Sequence, residues 1–222
     1  MIQRLSYPST DLLLNFCAIV YLLGIVGMLS PAKPWFVSQT PVSLLLSYFT
    51  LLFFHSPHTR ETTVYFLCAF IVGFGIEIVG VNTGWPFGHY EYGSVLGPKV
   101  ASTPLLIGIN WTLVTYCSFY ALEQLLPRLP HLVFAPLAAV LPVGLDFLIE
   151  PVAIHFGMWS WPSTGLPPLE NYVGWYTTSL ILAIIWRLVM PHSLQNRAAL
   201  MLLGLQIFFF AVLGLLISLR AA

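Results

Sequence analysis

Residues 64–92, VYFLCAFIVGFGIEIVGVNTGWPFGHYEY, decide how this chain is built. The first part, Val64 to Val81, is an apolar run that sits comfortably only inside a membrane, and it carries one carboxylate, Glu77. An ionisable side chain in hydrocarbon is costly, so it is rarely kept without a partner or a task. The run passes straight into a loop dense in glycine, proline and aromatic residues, Gly84-Trp85-Pro86-Phe87-Gly88-His89-Tyr90-Glu91-Tyr92. A second acidic pair, Asp146 and Glu150, ends another apolar run.

The rest of the chain agrees with that reading. Of its 222 residues, 58% are hydrophobic and only 7% charged, against about a quarter charged in an average soluble chain. This composition predicts an all-α polytopic transmembrane bundle, one integral membrane domain over 1–222, with a motif-bearing core at about 70–190. The net charge is zero, which gives no electrostatic basis for a nucleic-acid partner. Cys17, Cys68 and Cys117 all lie in apolar runs without a CxxC spacing and read as small buried hydrophobes.

Apolar runs fall at about 12–29, 42–54, 64–81, 104–126, 132–149, 172–190 and 198–219. A span needs about 20 residues at a rise of 1.5 Å each, so six runs qualify and the second is short. About seven helices is the expectation, with six as the fallback. Arg4 precedes the first run, which is too long for a secretory signal and reads as a membrane helix. Pro41 and Pro104 stand where helices would start, and Pro142 would bend the fifth helix and free the carbonyl near Ala138. If the N-terminus is inside, Arg4, Arg60, Arg128, Arg187 and Arg197 face the cytoplasm, against Lys33, Lys99 and Arg220 outside.

Two long loops, at about 82–103 and 150–171, both follow odd-numbered spans and should emerge on one membrane face. Glu77 and Asp146 each lie about one turn from the end of their helix, at similar depth beneath those loops. Asp146 and Glu150 are spaced to share a helix face. Two such carboxylates in a poor dielectric do not both ionise cheaply, which leaves one as a usable acid. The structural alternative is that each acid staples neighbouring helices.

Taken singly, Trp85, Tyr90, Tyr92, Trp159, Trp161, Tyr172 and Trp175 read as interfacial belt residues. Concentrated beside the acids, their ring faces would stabilise a cation, and proton donors within an aromatic cradle suit a reaction through a carbocation. His89 and His155 lie in the two loops as candidates to hold a water or tune an acid, each with an ordinary solvated reading. Glu61, Glu91, Glu123 and Glu170 read as loop or interfacial charges. His55 and His58 form an HxxH without a third ligand, so no metal is expected. The GxG at Gly73 and Gly75 does not extend to a dinucleotide fingerprint, and neither a DxxD pair nor a GxSxG elbow is present. What remains is cofactor-free acid–base chemistry on something lipid-soluble.

Glu77 followed by Thr83-Gly84-x-Pro86-Phe87-Gly88-x-Tyr90-x-Tyr92, then Leu96-Gly97-Pro98, Pro104 and Trp111, resembles the bacterial and archaeal carotenoid biosynthesis membrane family. Asp146-x-x-x-Glu150-Pro151-Val152-Ala153, Gly157-x-Trp159-x-Trp161 and Asn171-Tyr172-x-x-Trp175 match its second block. The similarity covers about residues 70–190. Glu150 departs conservatively from the family's frequent Asp at that position.

The resemblance implies a multi-pass protein of the cytoplasmic membrane that works without a cofactor as a carotenoid 1,2-hydratase. Its substrate would be a carotenoid with an open ψ end, of the lycopene or γ-carotene type. Membrane lipid and other enzymes of the carotenoid pathway are the implied partners. Glu77, Asp146 and Glu150 would be catalytic. Trp85, Phe87, His89, Tyr90, Tyr92, Trp111, Trp159, Trp161, Asn171, Tyr172 and Trp175 would bind the substrate. Either Glu77 or Asp146 would protonate C2 of the terminal double bond, and water, oriented by the ionised partner and by His89 or Asn171, would add at C1. Ring closure by a membrane lycopene-type cyclase begins with the same protonation and stays open as an alternative, as does a non-catalytic carrier of carotenoid or lipid.

Overall fold

The structure, a computed structural model, describes residues 8–190 and 194–221. The chain forms α1 (Pro8–Met28), α2 (Lys33–Ser38), α3 (Thr40–Phe54), α4 (Arg60–Thr83), β1 (Glu91–Tyr92), β2 (Lys99–Val100), β3 (Thr103–Pro104), α5 (Leu106–Leu125), α6 (His131–His155), β4 (Trp159–Ser160), α7 (Leu169–Val189) and α8 (Arg197–Ala221). Each expected apolar run is a helix. The additional one is α2, whose six residues around Pro34 and Trp35 are too short and too polar to register as an apolar run. Among the described residues, α1, α4, α6, α7 and α8 are long and apolar enough to cross a membrane, so the chain is read as a multi-pass membrane protein.

Local chemistry sets the helix ends that matter for the site. Thr59 and Thr62 cap α4 reciprocally, each side chain taking the other's backbone N–H. The helix stops at Gly84, whose φ of +79° is the left-handed conformation that glycine adopts without penalty. Pro136, Pro142 and Pro151 all lie inside an unbroken α6. The helix therefore runs on to His155, and Glu150 sits within it rather than at its edge. Pro104 differs from expectation: it belongs to β3, just ahead of α5.

Helix α5 is the axis of the bundle. Nearly all of it is buried, and it touches α3, α4, α6, α7 and α8. Connectivity places the 29–39, 84–105 and 156–168 segments at one end, with Arg60, Arg128, Arg187 and Arg197 at the other. Arg4 lies outside the described residues. At that far end Glu123 accepts from Arg187 Nη1 and Trp186 Nε1, both at 3.0 Å. It is thus a half-buried tie between α5 and α7 rather than a loop charge. Nearby, buried His55 meets the Tyr116 hydroxyl at 2.7 Å, and Asn196 Nδ2 donates to the same oxygen at 3.1 Å.

The two long loops share one end of the bundle, as the order of the spans predicts, and there they meet. Strands β1 and β4 pair antiparallel, with Glu91 opposite Ser160 and Tyr92 opposite Trp159. Gly93 N–H donates to the Met158 carbonyl at 2.8 Å. A Cβ on Gly93 would stand 2.0 Å from the Gly157 carbonyl oxygen, so this junction requires glycine. The paired loops roof the bundle directly above the acids.

Candidate active site

The three acids arrive from two helices. Glu77 projects from α4, and Asp146 and Glu150 from α6; all three are buried. With Phe87, Tyr90, Tyr92, Trp159, Trp161, Asn171 and Trp175 they line one chamber of about 20 Å³. A water needs roughly 10–15 Å³ measured in this way. The chamber accommodates a single water and little more.

Each acid has its own set of donors. Glu77 Oε2 accepts from the Tyr90 hydroxyl at 2.5 Å and the Tyr92 hydroxyl at 2.6 Å, while Oε1 accepts from Trp111 Nε1 at 2.9 Å. Glu150 Oε2 accepts from Trp159 Nε1 and Trp161 Nε1, both at 3.0 Å. Asn171 Nδ2 bridges the pair on α6, donating to Asp146 Oδ2 at 2.8 Å and to Glu150 Oε1 at 3.3 Å. Asp146 Oδ1 has no hydrogen-bond partner among the described residues. A buried carboxylate costs several kcal/mol in lost hydration, and each hydrogen bond to a charged group returns about 1.5–3 kcal/mol. Glu77 and Glu150 each have three such donors, and Asp146 has one.

The aromatic walls are fixed by their neighbours. Trp111 and Trp175 stack at 4.0 Å with an interplanar angle of 21°, and Tyr90 lies against Trp161 at 5.2 Å. Burial, followed by the charge of Glu77, pushes the Tyr90 and Tyr92 hydroxyls well above their usual range, so both remain donors across ordinary pH. Trp111 sits behind the chamber wall, donating to Glu77 and stacking on Trp175. The Trp111 ring needs Gly73: a Cβ there would lie 2.4 Å from it.

Three expected side chains stand elsewhere. Trp85 is 68% exposed at the start of the first loop. His89 is exposed and its ring covers Gly84, because the left-handed turn directs it outward. Tyr172 follows Asn171 on α7 and is not among the residues lining the chamber; its ring packs against Phe147, itself 64% exposed. His155 is also exposed and packs on Phe156. Two lining residues were not anticipated, Ile107 and Asn110 of α5. Asn110 was legible in principle as an amide in an apolar run next to Trp111, but it carries no charge to mark it.

A family model described as carotenoid biosynthesis protein matches residues 39–222. Bisanhydrobacterioruberin hydratase from Haloarcula japonica is 30% identical over 121 residues, covering 52% of this chain and 41% of that protein. The match thus spans less than half of the relative's length. No solved structure matches the chain.

Proposed function

Since this chain belongs to the carotenoid biosynthesis protein family, we propose that it is a cofactor-independent hydratase adding water across the terminal C1=C2 bond of an acyclic carotenoid end. The observation that carries this reading is the acid-lined chamber of about 20 Å³, which is the size of the second reactant, water. A relative named as a hydratase supports the same class of reaction.

Asp146 is assigned as the proton donor. Both oxygens of Glu77 are taken up by donors, and so are both of Glu150, whereas Oδ1 of Asp146 is unpartnered. Asn171 holds Oδ2 and leaves Oδ1 to carry the proton. Transfer of that proton to C2 breaks the C1=C2 π bond and leaves a tertiary cation at C1. Glu77 and Glu150 face the cation as fixed negative charges, and Trp161 and Trp175 offer it ring faces. The chamber water adds its oxygen to C1 and returns a proton to Asp146, which restores the acid. General acid catalysis of this kind contributes about 10²–10⁴ in rate; the preorganised charges and rings supply the remainder.

The protein would work in the cytoplasmic membrane, with the polyene in the bilayer and its end group beneath the loop roof. The test is mass spectrometry of pigments from cells making lycopene or γ-carotene, with the wild type, Asp146→Asn and Glu77→Gln. A new pigment heavier by one water with the wild type, absent with both amides, is expected. A product of unchanged mass and shortened chromophore would mean ring closure instead. Full activity in Asp146→Asn would end the assignment of the donor.

A further inference from the structure

The acid chamber is far too small for a carotenoid end and its chain, so the organic substrate must lie next to it. A second cavity, of about 490 Å³, occupies the space between α1, α2, α3 and α8. That volume is in the ordinary range of ligand pockets, roughly 300–1,000 Å³. Its lining is overwhelmingly apolar, and it shares Ile107, Asn110 and Trp159 with the acid chamber. These three residues form a common wall with water-scale, acidic space on one side and long, apolar space on the other.

We propose that this cavity is the binding channel for the unreactive polyene body, delivering one chain end to the acids across the Ile107–Asn110–Trp159 wall. The proposal rests on the reading of the protein as one that acts on a carotenoid. Four lining residues, Phe16 and Leu23 of α1, Trp35 of α2 and Val42 of α3, are more than half exposed. The cavity is therefore open between α1 and the α2–α3 segment, on a surface that faces hydrocarbon. A linear chain enters there without crossing water, and the part too long for the cavity remains in the bilayer. Asn110 is intermediate in burial and is the amide residue of that wall, where an alkene end and the chamber water would meet. The arrangement separates the reactants by polarity, with hydrocarbon from the α1 side and water from the acid side.

Filling the cavity tests the proposal without touching the acids. Val20→Trp on α1 and Ser43→Phe on α3 place bulk in it from two different helices, while Ile19→Trp, on the outer face of α1, is the control. The protein is purified in detergent, shown to be monodisperse, and loaded with lycopene; the retained polyene absorbance per protein is then read. The expected result is retention by the wild type, Asp146→Asn and Ile19→Trp. In Val20→Trp and Ser43→Phe it should fall about tenfold or more, as follows from losing the burial of a few methylenes. Retention at the wild-type level in both filled variants overturns the channel, and so does a wild type that carries only phospholipid and takes up no polyene. If the filled variants lose the polyene while the wild type binds it but never hydrates it, the channel stands and the hydratase reading fails.

Discussion

Tyr92 and Trp159 stand opposite each other across the β1–β4 ladder, their rings 6.0 Å apart and nearly perpendicular, and each gives its polar hydrogen to a different acid. Tyr92 donates to Glu77 on α4 and Trp159 to Glu150 on α6. The loop roof is thus also a strap across the two acid-bearing helices. Tyr92→Phe keeps the ring and removes one donor, and it should lower unfolding free energy by about 1–3 kcal/mol. Trp159→Phe should do likewise. Because both act through one strap, the double variant should cost clearly less than the two single losses combined. Thermal unfolding in detergent checks this, and strict additivity would show that the two contacts are independent.

Among the described residues, Asn171 is the one neutral donor shared by the two acids of α6. Asn171→Leu leaves these carboxyl groups facing each other without a bridge. Pigment conversion should fall by about 10²–10³, the usual effect of losing a preorganised donor at a reacting centre. Asn171→Asp, nearly the same in size, should be no better, since it adds a fourth acid to the chamber where a donor is required. Conversion in membranes measured for both variants decides it: recovery in the Asp variant would mean that size, not donation, matters.

Two helical glycines should resist alanine. Replacing an ordinary helix glycine by alanine gains about 1 kcal/mol of helix propensity. At Gly73 the new Cβ would lie 2.4 Å from the Trp111 ring, and at Gly174 it would lie 2.5 Å from Phe87. Gly73→Ala and Gly174→Ala should each therefore destabilise by about 1–3 kcal/mol, the usual cost of overpacking. Gly75→Ala, with open space at its Cβ, should be neutral or better. Melting temperatures of the three variants provide the comparison.

What the sequence allowed to be read divides along a physical line. Glu77, Asp146 and Glu150 were legible because a charge in an apolar run has few uses, but Glu77 lies six and Asp146 nine residues before the end of its helix, not about one turn. That the two loops share one face followed from counting spans; that they pair did not. That Trp85, His89 and Tyr172 stand outside the chamber lining was not legible, because a side chain's direction depends on a left-handed turn or a single step around a helix. Composition marks an aromatic as interfacial without saying which way it faces. Asn110 escaped for the opposite reason: a neutral amide costs too little in hydrocarbon to stand out. The cavity beside it is a property of how α1, α3 and α8 splay, which no single segment encodes.

Acid should weaken the end of the bundle away from the site. Burial, reinforced by the neighbouring His58, lowers the His55 imidazole to about 4. Above pH 6.5 the ring is neutral in folded and unfolded chain alike, and it contributes no pH dependence. As pH falls from about 6.5 towards 4 the unfolded chain takes up a proton that the folded one refuses. Stability should drop across that window by up to about 1.4 kcal/mol per pH unit. His55→Gln should flatten this slope, whatever it does to overall stability. An equally steep slope in the variant would place the sensitivity elsewhere.

The Glu123–Arg187 pair and the Trp111–Trp175 stack join the same two helices, α5 and α7, at opposite ends. Within each helix the two tie points are separated by the same number of residues, roughly 18 Å of helix. Two fasteners at equal spacing on parallel rods prevent one rod from sliding along the other. The ring stack beside the acids is thus held in registration with an ion pair at the other end of the bundle, and a change at Glu123 should reach the acid chamber as a shift of alignment rather than a loss of charge.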